Sequence, residues 1–301
     1  MNKTISVLIA TTIFTAPVLA DQLRVVVDIP PVHGIVEGVL GSNSSITTLI
    51  GSGIDPHNYT MKPSHAAAVS EADLIVLIGE ALTPSLAEKL PSLASDTKII
   101  ELAEVPNVHL IASKDAHDAH EDDAHHDDEH DGHDHNWVDP HMWLDIDNAD
   151  VWAHAIAKSA SELSPALASD INAQLAAFEQ ALIGLKSEMQ TLTAKPYSVS
   201  HDAFGYLEES FGIDHPQAVT NGMGLRPSPR DMANLRAQIE VTPPACMIID
   251  PNDHTALAYA LAEEYSIKTV EFSQLGEVVE GENAYLDLMS GAVAAFKTCF
   301  Q

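Results

Sequence analysis

Short apolar runs rich in β-branched residues alternate with helical patterns along most of this chain, and that alternation leaves few folds open. LRVVVDI at 23–29, SSITTLI at 44–50, DLIVLIG at 73–79, TKIIEL at 97–102 and VHLI at 108–111 read as strands. The pieces at 33–40, 64–71 and 80–90 read as short helices between them. Apolar runs separated by helices are the mark of parallel strands covered on both faces. The predicted layer arrangement is therefore open α/β.

The pattern then changes and restarts. NADVWAHAIAKSASEL at 148–163 reads as a helix that breaks at Ser164-Pro165. Residues 166–193 carry an unusually long helical repeat, with Leu175, Phe178, Leu182 and Leu185 at three- and four-residue steps. Such a helix would span about 40 Å, longer than an ordinary crossover and suited to a rod between lobes. Strand-like YSVSH at 197–201, AVT, CMIID at 246–250 and IKTVEF at 267–272 follow, with helices at 202–211, 229–239, 253–264 and 282–298. The organisation predicted is two (β/α)-type lobes with parallel-rich sheets, residues 21–165 and 194–301, joined by a helix over 166–193. A ligand cleft would lie between the lobes, at strand C-terminal ends.

Residues 115–135 fit no such pattern. They read DAHDAHEDDAHHDDEHDGHDH, with too few apolar residues to offset the entropy of their own ordering. His117, His120, His125, His126, His130, His133 and His135 stand there among ten carboxylates. Imidazole and carboxylate together are ligands of borderline divalent metals such as zinc. Acidity alone would suit a solvated linker equally well. The histidine density favours loose, multi-site metal capture.

The ends and the charge bear on compartment and partner. Residues 1–20 read as a secretory signal: Lys3, an apolar stretch from Ile5 to Ile13, and VLA at 18–20 before Asp21. The apolar stretch is short for a membrane span, and no cysteine follows it to carry a lipid anchor. Export to a periplasm, as a monomer without a direct membrane anchor, is the expectation. The formal charge of −30 argues against nucleic acid and anionic lipid and favours cations. Cys246 and Cys299 are the two cysteines. An oxidising compartment allows one disulfide between them; two separate buried thiols are the alternative, less favoured because Cys299 sits close to the chain end.

Three histidines outside the tract occupy similar local positions. His57 lies in GIDPHNY beyond a strand, His141 in DPHMW beyond the tract, and His201 ends the strand YSVSH. Each sits where an α/β fold presents ligand-binding loops. Three imidazoles and one more donor would complete a tetrahedral zinc shell. Asp55 and Asp139, each two residues before a histidine, can orient the site or simply stabilise a turn before proline. Asp202 beside His201 is equally useful as an acid in a helix's first turn.

With these pieces assembled, the sequence resembles the cluster A-I metal-binding receptors of ATP-driven importers, most of all their periplasmic zinc-receptor branch. The resemblance rests on GIDPHNYTMKPSH at 53–65, DPHMWLD at 139–145, SHDAFGYLEESFGI at 200–213, the acidic histidine-rich insertion, and cysteines at 246 and 299. It implies two lobes with a long backbone helix and a metal at their interface, held by His57, His141 and His201. It also implies a Cys246–Cys299 disulfide, zinc as cargo and an inner-membrane permease as partner. One departure stands out. Many relatives carry an aspartate in a turn ending Leu-Gly, whereas EFSQLG at 271–276 puts Ser273 there. The fourth donor is then water, Asp55, Glu271 or a residue of the tract, with Asp250 and Asp253 as further acidic candidates.

Two other classes are weighed against this reading. A zinc hydrolase could use three histidines and an open water position, but no HExxH helix or nucleophile arrangement accompanies them. A metal-buffering or adhesive extracellular protein would share the export signal, yet only three tryptophans are available for an aromatic partner patch. If the three imidazoles behave as free ones, protons should compete with metal as pH falls toward about 6.5.

Overall fold

The computed structural model describes residues 22–113, 138–253, 255–276, 281 and 283–301. The proposed signal (1–20) and the histidine-rich tract (115–135) lie outside the described residues. The first lobe contains β1 (Leu23–Val27), α1 (Pro30–Leu40), β2 (Ser44–Thr48), α2 (Pro63–Glu71), β3 (Leu74–Leu77), the short helices α3 (Pro84–Ala87) and α4 (Leu90–Leu93), and β4 (Lys98–Glu101). Two long helices follow, α5 (Ile146–Leu163) and α6 (Ala168–Met189). The second lobe contains β5 (Ser198–His201), α7 (Gly205–Phe211), β6 (Gln217–Thr220), α8 (Pro229–Val241), β7 (Met247–Ile249), α9 (Ala256–Glu264), β8 (Thr269–Glu271) and α10 (Ala284–Phe300).

Each lobe holds a four-stranded, all-parallel sheet, ordered β2-β1-β3-β4 and β6-β5-β7-β8. The same winding is thus used twice. The central strands of the first sheet explain its sequence: β3, LIVL, is buried at every position, whereas edge strand β2 alternates half-buried and exposed residues. β5 is also buried throughout but carries Ser198, Ser200 and His201. Its polar groups are satisfied by neighbours: Ser200 Oγ accepts from the Asp250 N–H at 3.0 Å, and Ser198 Oγ donates to Gln217 at 3.2 Å. Such satisfaction is what a buried polar strand requires.

In both sheets the winding reverses beside the first strand, between β1 and β3 and between β5 and β7. A carboxylate ties neighbouring strand ends together in each lobe. Fully buried Asp28 accepts the N–H groups of Ile29 and Ile78, at 2.8 and 2.7 Å. Asp250 accepts those of Asn252 and Gln274, both at 2.9 Å. Burial pushes the Asp28 carboxyl up to about 7. The sequence reading missed Asp28, whose only signal was an acid at the end of the apolar run Val25–Val27.

Helix α6 joins the lobes and packs on α1, α5 and α10. It has 22 residues, about 33 Å rather than the predicted 40 Å, because a separate 3-10 turn at Pro165–Leu167 precedes it and the helix ends at Met189. Two other expectations are corrected. The helix predicted at 80–90 is two four-residue helices, each starting at a proline position: Pro84 opens one and Pro91 sits in the first turn of the other. Proline cannot donate to a preceding turn, so it interrupts a continuous helix. VHLI at 108–111 is not a strand, and Leu110 is exposed. That segment instead ends in an isolated antiparallel bridge, Ala112 with Val138.

This bridge fixes both roots of the histidine-rich tract. The Asp139 N–H donates to the Ile111 carbonyl at 2.8 Å. Across the lobe boundary, Tyr206 Oη accepts the Ile111 N–H at 3.1 Å and donates to the Asp139 carbonyl at 2.8 Å. The described residues flanking the tract, Ala112 and Val138, are thus paired, and Val138 lies three residues before His141. Cys246 and Cys299 form a disulfide that ties α10 to the start of β7, with Cα atoms 5.3 Å apart.

The lobes approach closely at Gly34 on α1. A β-carbon there would lie 2.5 Å from the Tyr285 nitrogen and 3.1 Å from its Cα, at the start of α10. Alanine normally favours a helix over glycine by about 1 kcal/mol. Here that preference should be outweighed, because backbone cannot yield as a side-chain tip can. Gly34→Ala should lower stability by about 1–3 kcal/mol in denaturant unfolding; a more stable variant would contradict this packing.

Candidate metal centre

His57, His141 and His201 come together from three separate segments. His57 lies in the loop between β2 and α2, His141 precedes a 3-10 turn at Met142–Leu144, and His201 ends β5. One nitrogen from each lies within 4.8 Å of the others. His141 and His201 are buried, and His57 is half-buried. The ring centroids are 5.0 Å apart for His141–His201, 5.7 Å for His57–His141 and 6.3 Å for His57–His201.

The surrounding hydrogen bonds set which nitrogen faces inward. Asp139 Oδ1 accepts both the backbone N–H of His141 at 2.9 Å and its Nδ1–H at 2.8 Å. His201 Nδ1 lies 3.3 Å from Thr220 Oγ1, whose own hydrogen goes to the Ser200 carbonyl. Thr220 is then left to accept from His201. With both Nδ1 atoms acting as donors, both Nε2 atoms present lone pairs, and these lie only 3.1 Å apart. Two lone pairs at that distance repel unless a proton or a metal ion stands between them. Zinc held tetrahedrally at about 2.0–2.1 Å would place two ligand nitrogens about 3.3 Å apart. His57 adds a second sign of fit: its Nδ1 is buried without a hydrogen-bond partner. Buried polar atoms are rarely left so.

The cleft around the three rings has a volume of about 270 Å³ and is also lined by Asp55, Asp250 and Asp253. No lysine or arginine lines it among the described residues. Trp143 closes its floor, donating its indole N–H to the Gln274 carbonyl of the opposite lobe at 3.0 Å. The carboxylates are used differently. Asp55 accepts the His57 backbone N–H at 2.9 Å and the Asn58 amide at 2.7 Å, so it shapes the turn that carries His57. Glu271 accepts from Tyr259 at 2.6 Å on the exposed surface and is not part of the cleft. Ser273 is held by Asn252 and by the Gly276 N–H, at 2.9 and 3.1 Å. Asp253 Oδ2 is buried and has no partner, and burial together with nearby Asp250 pushes that carboxyl up to about 7.

The model of the family described as "Zinc-uptake complex component A periplasmic" matches residues 25–299. The chain belongs to that family. It is 32% identical to the high-affinity zinc uptake system protein ZnuA of Paracoccus denitrificans, with 99% of each chain covered. A crystal structure of ZnuA is similar in fold, with a TM-score of 0.76 at 23% identity over 93% of this chain and 98% of that one. A mutant of the laminin-binding adhesin of Streptococcus agalactiae also has a TM-score of 0.76, at 20% identity over 93% and 100% of the two chains. Membership makes the chain a non-catalytic periplasmic metal-binding receptor of a transport system.

The pH window expected from free imidazoles is displaced by the site. Burial, then repulsion from His141, lowers His57 to about 4, with Asp55 and Asp139 pulling the other way. Burial, then His141 and His57, holds His201 well below its ordinary range. Both rings are thus neutral and ready for metal below pH 6.5. An unfolded chain protonates His57 near 6.5, so acid between 6.5 and 4 favours unfolding, by up to about 3 kcal/mol for this ring. Asp28 and Asp253, raised to about 7, act in the opposite sense, which makes ring titration a cleaner readout than melting temperature. In metal-free protein, NMR should show His57 titrating near pH 4 and His201 staying neutral across that range. Titration of either ring near 6.5 would contradict this picture.

Proposed function

We propose that this receptor captures zinc with His57, His141 and His201 and delivers it to the inner-membrane permease of an ATP-driven importer. The observation that carries this is the pair of inward-facing Nε2 atoms 3.1 Å apart, with the third ring beside them. Neutral imidazoles suit zinc better than manganese, which prefers a more oxygen-rich shell. They also bind a cation less tenaciously than thiolates would, as a delivery protein requires. The name of the ZnuA relative points the same way. The receptor works as an exported monomer, with residues 1–20 as its signal. The seven histidines of the 115–135 tract gather zinc loosely beside the site that its roots adjoin.

Alanine at any one of His57, His141 or His201 should weaken zinc binding by more than about 100-fold in competitive titration, beyond the 10–100-fold typical of residues that merely support a ligand. Deleting 115–135 should reduce zinc stoichiometry while one tight event remains. Zinc-loaded receptor should stimulate ATP hydrolysis by its reconstituted importer. Near-unaltered affinity in all three alanine variants would reject the ligand set, and tight binding without stimulation would favour metal buffering.

A further inference from the structure

Three imidazoles leave a tetrahedral zinc shell one donor short. The cleft offers few oxygen atoms to fill it, and most are already engaged. Asp55 holds the turn of His57 through both of its oxygens. Asp250 receives two backbone N–H groups, one on each oxygen, and so fastens β7 to the segment after β8. Thr220 Oγ1 donates to Ser200 and faces the outer nitrogen of His201. Ser273 is occupied by Asn252 and Gly276. Glu271 lies outside the cleft, paired with Tyr259.

Two oxygens in the cleft remain buried without a partner: Asp253 Oδ2 and Gln274 Oε1. Of these only the carboxylate can neutralise part of a divalent charge, and a carboxylate oxygen is an ordinary zinc ligand. The backbone around Asp253 is anchored on both sides. Its N–H donates to the Asp250 carbonyl at 3.1 Å, and its own carbonyl accepts the Thr255 N–H at 2.8 Å. Oδ2 is thus an unpaired atom on a fixed turn, just beyond the C-terminal end of β7. That end lies beside β5, whose last residue is His201.

We propose that Asp253 is the fourth metal donor of this receptor. This rests on the zinc-receptor reading and names the residue that completes its site. Asp253 does not share the 4.8 Å cluster formed by the three imidazole nitrogens, so its side chain turns inward to join the metal. The second lobe then supplies two ligands, His201 and Asp253, and the first lobe supplies His57 and His141. Metal binding then anchors the loop after β7, which already lines the cleft. The charge of the filled site falls from +2 to +1.

The test uses the full-length mature protein with zinc and with cobalt(II) as a spectroscopic stand-in. Asp253→Asn keeps the size of the side chain and removes its charge; Asp253→Ser removes its reach. Both should weaken zinc binding by more than tenfold and alter the visible cobalt(II) spectrum, which reports coordination number and geometry. Metal-free melting temperatures should not fall in either, because Oδ2 makes no hydrogen bond to lose. Glu271→Gln and Gln274→Met should match unaltered protein in affinity and spectrum. Unchanged affinity and spectrum in both Asp253 variants would overturn the assignment. So would a loss confined to Gln274→Met, or a weakening fully accounted for by a lower metal-free melting temperature. Failure of the unaltered protein to bind either metal would overturn the receptor reading itself, a result distinguishable from tight binding that ignores Asp253.

Discussion

Two imidazole nitrogens facing each other at 3.1 Å make a contact that a cation resolves. Much of the site follows from keeping it. Asp139 and Thr220 hold the outer nitrogens of His141 and His201, which prevents either ring from turning its lone pair away. Burial and mutual repulsion keep His57 and His201 from accepting protons in the ordinary histidine range. The same features that make the empty cluster unfavourable for protons make it receptive to a metal, because metal ligation needs neutral rings.

Holding that contact requires both lobes to keep a fixed distance, since His57 and His141 come from one and His201 from the other. The fold does this with backbone and rigid aromatic groups. Gly34 brings α1 against the start of α10, closer than any side chain would permit. Tyr285 then donates to the Trp143 carbonyl at 2.8 Å, and the Trp143 indole reaches the Gln274 carbonyl opposite. Helix α6 runs behind these contacts and packs on α1, α5 and α10. Tyr206 fastens the two roots of the histidine-rich tract on the other side of the cleft.

The lobes were legible in the sequence from local pattern, and the histidine trio from loop positions joined to a family resemblance. Apolar runs such as LIVL announce covered strands, and a histidine just past a strand end sits where α/β folds bind ligands. The sequence also pointed to both cysteines, although their pairing came from family resemblance. What it did not reveal depends on distances between remote segments. Asp28, Trp143 and Gly34 are ordinary residues until the fold sets them against Ile78, Gln274 and Tyr285. The same holds among the carboxylates: the sequence put Asp55 and Glu271 forward and kept Asp250 and Asp253 as further acids, and their hydrogen-bond partners reverse that emphasis. Prolines at 84 and 91 were readable signals that the helical pattern at 80–90 could not be continuous.

The most direct test of the account is a crystal structure of zinc-loaded protein with anomalous differences collected on both sides of the zinc absorption edge. The expected result is a peak that appears only above the edge, bonded to one nitrogen each of His57, His141 and His201 at about 2.0–2.1 Å. Absence of zinc at these rings in fully loaded crystals, with the metal held elsewhere on the chain, would contradict it.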